Sequence, residues 1–502
     1  MSSKEVYNVL KELDICLVCT LRHLNVRCNE FDDIQQAYKN RDIKIPADQN
    51  DCDEPNIKRS KSNVCIECLG LFQNDYIKTI AKEIVETTEL SSYECDTIYT
   101  SISVPILLQI KELALWIHLL KQLPGKISET TVPAITIKET FKYIMNTELC
   151  KLTGKTLESN QNGILVNVFF DHDAEQLEVK RLDAISPSSV KNNSKKKKHT
   201  PVMTRTLFEK NFYPENLDIE ACINHLPVPP TTQSTPLKLV KYSIVGPTIF
   251  VAGRYRKLSR DLSQTPWILD GKRMKCNSLQ EIIAREVGPY FGINTDINSE
   301  KVVFMSSGRE DVDVRCLGKG RPFVLEINDA KKVKLPLRDA ANIEFNIDKS
   351  KLVSVQHLQI TKRDDLVHIK SGEEEKRKFY RAHCVLQQPA TASIMQKLDI
   401  PDGFLIQQKT PLRVLHRRPL LTRPRQIYCV KGYLEKDNPR TLILDVVTQA
   451  GTYVKELVHG EFGRTSPSIA SIIGQEIDIV ALDVNAIELD WPPEINNKLS
   501  LN

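Results

Sequence analysis

Two Cys-x-x-Cys pairs near the start of the chain limit what it can fold into more than any other feature. Cys16 and Cys19 lie in LDICLVCTLRH, and Cys65 and Cys68 lie in SNVCIECLG, with 45 residues between the two pairs. A tight turn lets two cysteines three positions apart aim both thiolates at one ion, and two such turns complete a tetrahedral four-sulfur shell. With 13 cysteines in 502 residues, chance supplies roughly 0.3 such spacings. Buried free thiols are the plain alternative, and a redox pair would need a leading strand that neither pair has. The expectation is a closed structural zinc site that holds the N-terminal segment together. The opening MSSKEVYNVLKELDI has scattered charges and no apolar core with a cleavage site, so reduced thiols and a nuclear and cytoplasmic location are expected. Residues 106–123 are apolar but interrupted by Gln109, Lys111, Glu112, His118, Lys121 and Gln122. They read as an amphipathic helix and not a membrane span.

A chain of 502 residues suggests about three units. Polar stretches at 44–64 and 183–203, the second carrying Lys195 to Lys198, read as an insertion and a linker. The tetralysine reads as solubilising. Helical spacing covers 77–90 and 106–123, and GILVNVFF (163–170) reads as a buried strand. Beyond Pro236, strands are expected at 242–251, 302–305, 323–327, 379–387, 427–434 and 442–449. A helix over 278–290 opens with a Ser278/Glu281 capping box. The fold class is α+β: a mixed, largely antiparallel sheet flanked by helices, joined to an α/β region. The expected boundaries are 1–80, 81–260 and 261–502.

Charge is nearly balanced, with a formal net value of +5, so a nucleic-acid site must come from local clustering. Two clusters stand out. Residues 403–434 hold Lys409, Arg413, Arg417, Arg418, Arg423, Arg425 and Lys431 with no acidic residue, and GRYRKLSR holds Arg254, Arg256, Lys257 and Arg260 with Tyr255 available to stack on a base. A solvated basic face is the alternative for both. Loops for dinucleotides or phosphates, a zinc-protease motif and an esterase elbow are all missing, so no organic cofactor is expected. The densest signal is SSGREDVDVRCLGKGRP (306–322), directly after a strand. Arg309 can orient or pair with Asp311 two residues on, and Asp313 and Arg315 repeat the spacing. On charge alone this is either a site or a solvated loop of ion pairs.

Three elements in order resolve that choice through resemblance. Gly308-Arg309-Glu310-Asp311 resembles the G-R-x-D element of pseudouridine synthases, KRKFYRAHCVL (376–386) resembles their K-x-Y strand, and GTYVKEL (451–457) resembles their strand-to-helix turn. With 253–271, KTPLRVLHRRP (409–419) and 450–465, the chain is similar to the archaeal and eukaryotic Pus-ten family of tRNA pseudouridine synthases. That family carries N-terminal C-x-x-C zinc ligands and a THUMP-containing RNA-binding region.

The resemblance implies the pseudouridine synthase fold and isomerisation of uridine in the TΨC arm of tRNA, at position 54, position 55 or both. Other structured RNAs are further candidate partners, and a monomer is expected. It implies Asp311 as nucleophile, Tyr380 stacked on the uracil and serving in proton removal from C5, and Tyr453 lining the pocket. Lys455 takes the place of the arginine that pairs with the aspartate elsewhere in the superfamily, with a point charge instead of a fork. Lys409, Arg413, Arg417 and Arg418 would grip RNA. Arg181-Leu182-Asp183 spells another branch's motif without its companions and reads as surface. A non-catalytic zinc and THUMP RNA-binding factor is the competing reading.

Overall fold

The computed structural model describes residues 3–45, 64–126, 135–158, 162–183, 206, 208, 219–295, 300–435 and 438–495. Apart from residues 44, 45, 64 and 183, the insertion and the linker, Lys195 to Lys198 included, lie outside the described residues. Two compact units divide at Gly246/Pro247.

In the first unit, β1 (Thr97–Ser103), β2 (Thr156–Leu157), β3 (Ile164–Asp171) and β4 (Lys238–Val245) form a mixed sheet in the order β2-β1-β3-β4. Alternation along β3 buries Ile164, Val166, Val168 and Phe170 on one face. Phe170 meets Phe141 edge-on at 5.7 Å. Phe141 belongs to the helix Ile137–Thr153, opened by a Thr136/Glu139 capping box and closed by Gly154 at φ 69°. The expected helix over 106–123 spans Ile106–Gln122. Helix Tyr76–Val85 runs through the expected boundary at residue 80, so 1–80 is not a separate body.

The second unit holds β5 (Ile249–Lys257), β6 (Ile268–Leu269), β7 (Lys272–Arg273), β8 (Val302–Ser306), β9 (Val314–Ile327), β10 (Val353–Thr361), β11 (Lys378–Leu386), β12 (Asp399–Ile400), β13 (Phe404–Lys409), β14 (Thr422–Glu435), β15 (Asn438–Thr448), β16 (Thr465–Ser466) and β17 (Ile477–Ile487). The sheet runs β10-β5-β9-β17-β11-β15-β14-β13-β16, with β8 beside β9 and β12 beside β14. Every pairing in it is antiparallel except β17 with β9. This is the mixed, largely antiparallel sheet that the sequence suggested. One apolar core covers it, with Ile283 and Val287 of the helix Leu279–Val287 and Ile343 and Ile347 of Leu337–Asp348 packed in. The Ser278/Glu281 capping box forms.

Two expectations need correction. The run 242–251 is two strands in two different sheets, because Gly246-Pro247-Thr248 ends β4 before β5 begins. The boundary at 260 is displaced to 246 because β5 is an inner strand of the second sheet, paired with both β10 and β9.

Candidate active site and cysteine cluster

Asp311 sits in the loop between β8 and β9, and the loop is fixed from beneath. Gly308 adopts φ +94°, and a Cβ there would lie 2.8 Å from Arg321 Nη1, so both the backbone and the space require glycine. Glu310 is buried; its Oε1 accepts from Arg321 Nε at 2.6 Å and its Oε2 from the Tyr255 hydroxyl at 2.8 Å. Burial alone would raise this carboxyl, but the Arg321 guanidinium outweighs burial and holds it below the usual range. Arg321 also donates to the Ser307 carbonyl at 2.6 Å. Gln264 donates to Ser306 Oγ, which donates to the Gly308 carbonyl. Buried Lys257 donates to the carbonyls of Asp311, Val312 and Leu262 at 3.2, 2.6 and 2.8 Å.

Above the loop, Asp311 opens into a cleft of about 270 Å³ lined also by Arg309, Lys378, Tyr380, Arg413, Arg417, Arg418, Tyr453, Lys455, Leu482 and Val484. Asp311 Oδ2 accepts from Arg413 Nη1 at 2.6 Å, while Lys455 Nζ stands 3.9 Å away. Lys455 makes its short contact, 2.6 Å, with Asp313. Burial would raise Asp313, and Lys455 more than offsets it, holding the carboxyl low. Lys455 thus lies within ion-pair reach of Asp311 as expected, but the short contact to the aspartate is made by Arg413. The planar fork fits this place: Arg413 Nε donates to Glu456 Oε1 at 2.7 Å, and Glu456 is buried, so one guanidinium bridges the two carboxylates through separate nitrogens. The same guanidinium lies 5.8 Å from the Tyr453 ring centroid. Tyr453 is set by Gln408, which exchanges two hydrogen bonds with its backbone.

Tyr380 lies on β11, half-buried on the face it shares with buried Ala382, Cys384 and Leu386. On the opposite face Arg381 pairs with Asp445 at 2.7 Å. Burial pushes the Tyr380 phenol up to about 12, so it is protonated at neutral pH and suits stacking better than proton removal. Exposed Arg309 lines the cleft without the expected pairing to Asp311.

Sequence reasoning missed Glu310, Arg321 and Lys378. Lys378 is the lysine of the K-x-Y spelling itself; burial, with Arg321 nearby, pushes it down to about 8.

The expected RNA patch at 254–260 is also corrected. Arg254 is buried and donates to the carbonyls of Lys319, Gly320, Leu489 and Trp491. Tyr255 has no exposed surface and cannot stack on a base. Lys257 is equally enclosed. Arg256 donates to Ser354 Oγ, and Arg260 pairs with Asp483 at 2.6 Å. By contrast Lys409, Arg417 and Arg418 are exposed. The decoy Arg181 lies on the helix Glu175–Asp183, exposed and paired with Glu178.

In the first unit, the sulfur atoms of Cys16, Cys19, Cys65 and Cys68 lie within 4.8 Å of one another, and those of Cys16 and Cys68 are 3.8 Å apart. A tetrahedral ion with bonds of about 2.3 Å needs sulfurs roughly 3.8 Å apart, so the four can hold a metal ion. Beside them buried Arg22 pairs with Glu67 at 3.2 Å, and His23 meets Glu67 at 2.9 Å.

Residues 250–488 match the family described as Pus10, C-terminal, and residues 65–241 match Eukaryotic Pus10, N-terminal. The Pus10 protein of Drosophila melanogaster is 43% identical over 504 residues, covering 99% of each chain. The tRNA pseudouridine synthase Pus10 of Homo sapiens is 35% identical over 88% of this chain and 81% of its own. That of Pyrococcus furiosus is 39% identical over 47% of this chain and 56% of its own.

Proposed function

Because the chain belongs to the Pus10 family of tRNA pseudouridine synthases, we propose that it isomerises uridine to pseudouridine in the TΨC arm of tRNA, at position 54, position 55 or both, with Asp311 as the nucleophile. The observation that carries this reading is a half-exposed carboxylate at the head of a small cleft, with one oxygen held and the other open. Arg413 holds Oδ2; among the described residues no group donates to Oδ1. Oδ1 can add at the sugar carbon, or stabilise positive charge there, as the glycosidic bond breaks. The detached uracil turns within the cleft, its C5 bonds to the sugar carbon as the Asp311 oxygen leaves it, and the proton lost from C5 is balanced by one gained at N1. Arg413 and Lys455 set positive charge 2.6 and 3.9 Å from Asp311 Oδ2, and Tyr380 and Tyr453 offer ring faces that offset the cost of lifting the base from its stack.

The four cysteines suit zinc in a closed, structural role, because a four-sulfur shell leaves no position open for catalysis. The first unit is read as the THUMP-type RNA-binding region. The same reading places a monomer in nucleus and cytoplasm, open to light scattering and fractionation.

The test is Asp311→Asn on an unmodified tRNA transcript. Pseudouridine, measured by mass spectrometry, should fall below detection while tRNA binding survives; full activity would sink the assignment. For the metal, Cys65→Ser/Cys68→Ser should lose its zinc by mass spectrometry, and unchanged zinc would place the ligands elsewhere.

A further inference from the structure

Phe462 is 97% exposed, yet its position is tightly specified. It is the third of four consecutive left-handed residues, Gly460 (φ 79°), Glu461 (φ 44°), Phe462 (φ 55°) and Gly463 (φ 81°). Two of the four are not glycine, and such conformations persist only where the surroundings impose them. Here they do. The Glu461 amide donates to His459 Nδ1 at 3.1 Å, the Arg464 amide to the Glu461 carbonyl at 3.1 Å, and the Thr465 amide to the Gly460 carbonyl at 3.1 Å. Gly460 is itself left-handed, and a Cβ there would meet Ser468 Oγ at 2.7 Å.

The turn is tied to the basic loop that carries Arg413. The Glu461 carboxylate accepts from the Leu412 amide at 3.0 Å and from Arg464 Nε at 3.1 Å, Arg464 donates to the Thr410 carbonyl, and the Lys409 amide donates to the Arg464 carbonyl at 2.9 Å. The helix that leads into the turn, Val454–His459, also carries Lys455 of the cleft and the buried Glu456 that pairs with Arg413. A lone exposed apolar side chain is ordinary; a benzene ring raised on a fixed, strained turn that is bonded to the loop carrying Lys409, Arg417 and Arg418 has the character of a stacking platform beside basic side chains.

We propose that Phe462 stacks on an unpaired base of the RNA substrate next to the uridine held in the cleft. This rests on the tRNA reading above and extends the site beyond the residues that surround Asp311.

The experiment compares the full-length wild-type protein with Phe462→Ala and Phe462→Trp on an unmodified tRNA transcript. Alanine should weaken tRNA binding and raise KM about tenfold with kcat retained, and tryptophan should restore both. The added indole should also lose fluorescence when tRNA binds, beyond any change in the wild type. An alanine variant that binds like the wild type, or an indole that does not respond, overturns the stack. Failure of the wild type to form pseudouridine while still binding the transcript would overturn the activity instead, and the binding comparison would still decide the stack.

Discussion

Two stretches look alike in the sequence and do opposite work. GRYRKLSR (253–260) and KTPLRVLHRRP (409–419) are both dense in Arg and Lys, each with apolar residues between the charges. The first lies along β5 and the loop after it, and its cations turn inward to carbonyls and Asp483. The second starts on the last residue of β13 and runs through the loop to β14, and Lys409, Arg417 and Arg418 stay exposed, the two arginines lining the cleft. A basic cluster is therefore not in itself an RNA footprint. What decides is whether nearby backbone carbonyls and carboxylates already satisfy the donors. Arg413 stands between the cases: its loop is the outer one, but its guanidinium is committed to Asp311 and Glu456.

The largest expected effect lies in the inner cluster. Arg254→Met leaves four carbonyls without their donor and should cost about 3–5 kcal/mol in urea unfolding, with the salt dependence of tRNA binding unchanged. A shallower salt slope in that variant would return Arg254 to the RNA surface. Next, Arg413→Ala removes the bridge over Asp311 and should lower kcat about 100-fold with tRNA affinity less affected; a loss in affinity alone would make Arg413 a phosphate contact.

In the outer cluster, Arg417→Glu/Arg418→Glu should weaken binding about tenfold and flatten the log K against log salt slope by about 2, while stability stays within about 0.5 kcal/mol. Unchanged binding would leave these residues a solvated face. A further expected effect concerns pH. Burial holds Lys257 down at about 8 in the folded protein, against 10.5 for the free side chain. Between those values the unfolded chain binds the extra proton, so this group makes stability rise with pH by up to about 1.4 kcal/mol per unit. Lys257→Met should lack that component, read as the difference between the two proteins in urea melts from pH 7.5 to 9.5. Parallel profiles would mean that Lys257 keeps its charge in the fold.

Much of the site was legible because its chemistry is spelled locally. The Gly308–Asp311 element, the Tyr380 strand with its buried face, and the Tyr453 turn appear as short runs, and the structure brings all three to one cleft. The paired cysteines converge as their spacing suggested. What escaped depends on partners far away in sequence. Arg413 reaches across 102 positions to Asp311, and nothing in LRVLHRRP distinguishes it from its neighbours. Arg254 looked solvated because its acceptors at Leu489 and Trp491 lie more than 230 residues on. The division of 242–251 was the more readable miss, since Gly246-Pro247 stands in the run itself.

The place of β17 in the sheet sets an order on synthesis. This strand alone joins β9 to β11, and it is the last strand of the sheet to leave the ribosome. Asp311 hangs from the β9 side of that seam, whereas Tyr380, Arg413, Tyr453 and Lys455 hang from the β11 side, and Leu482 and Val484 of β17 line the cleft between them. Two half-sheets can gather during translation, but the aspartate and its partners meet only after the final strand has been inserted. A nascent chain stalled before Ile477 carries Asp311, Tyr380, Arg413, Tyr453 and Lys455 without the strand that lies between their two sides.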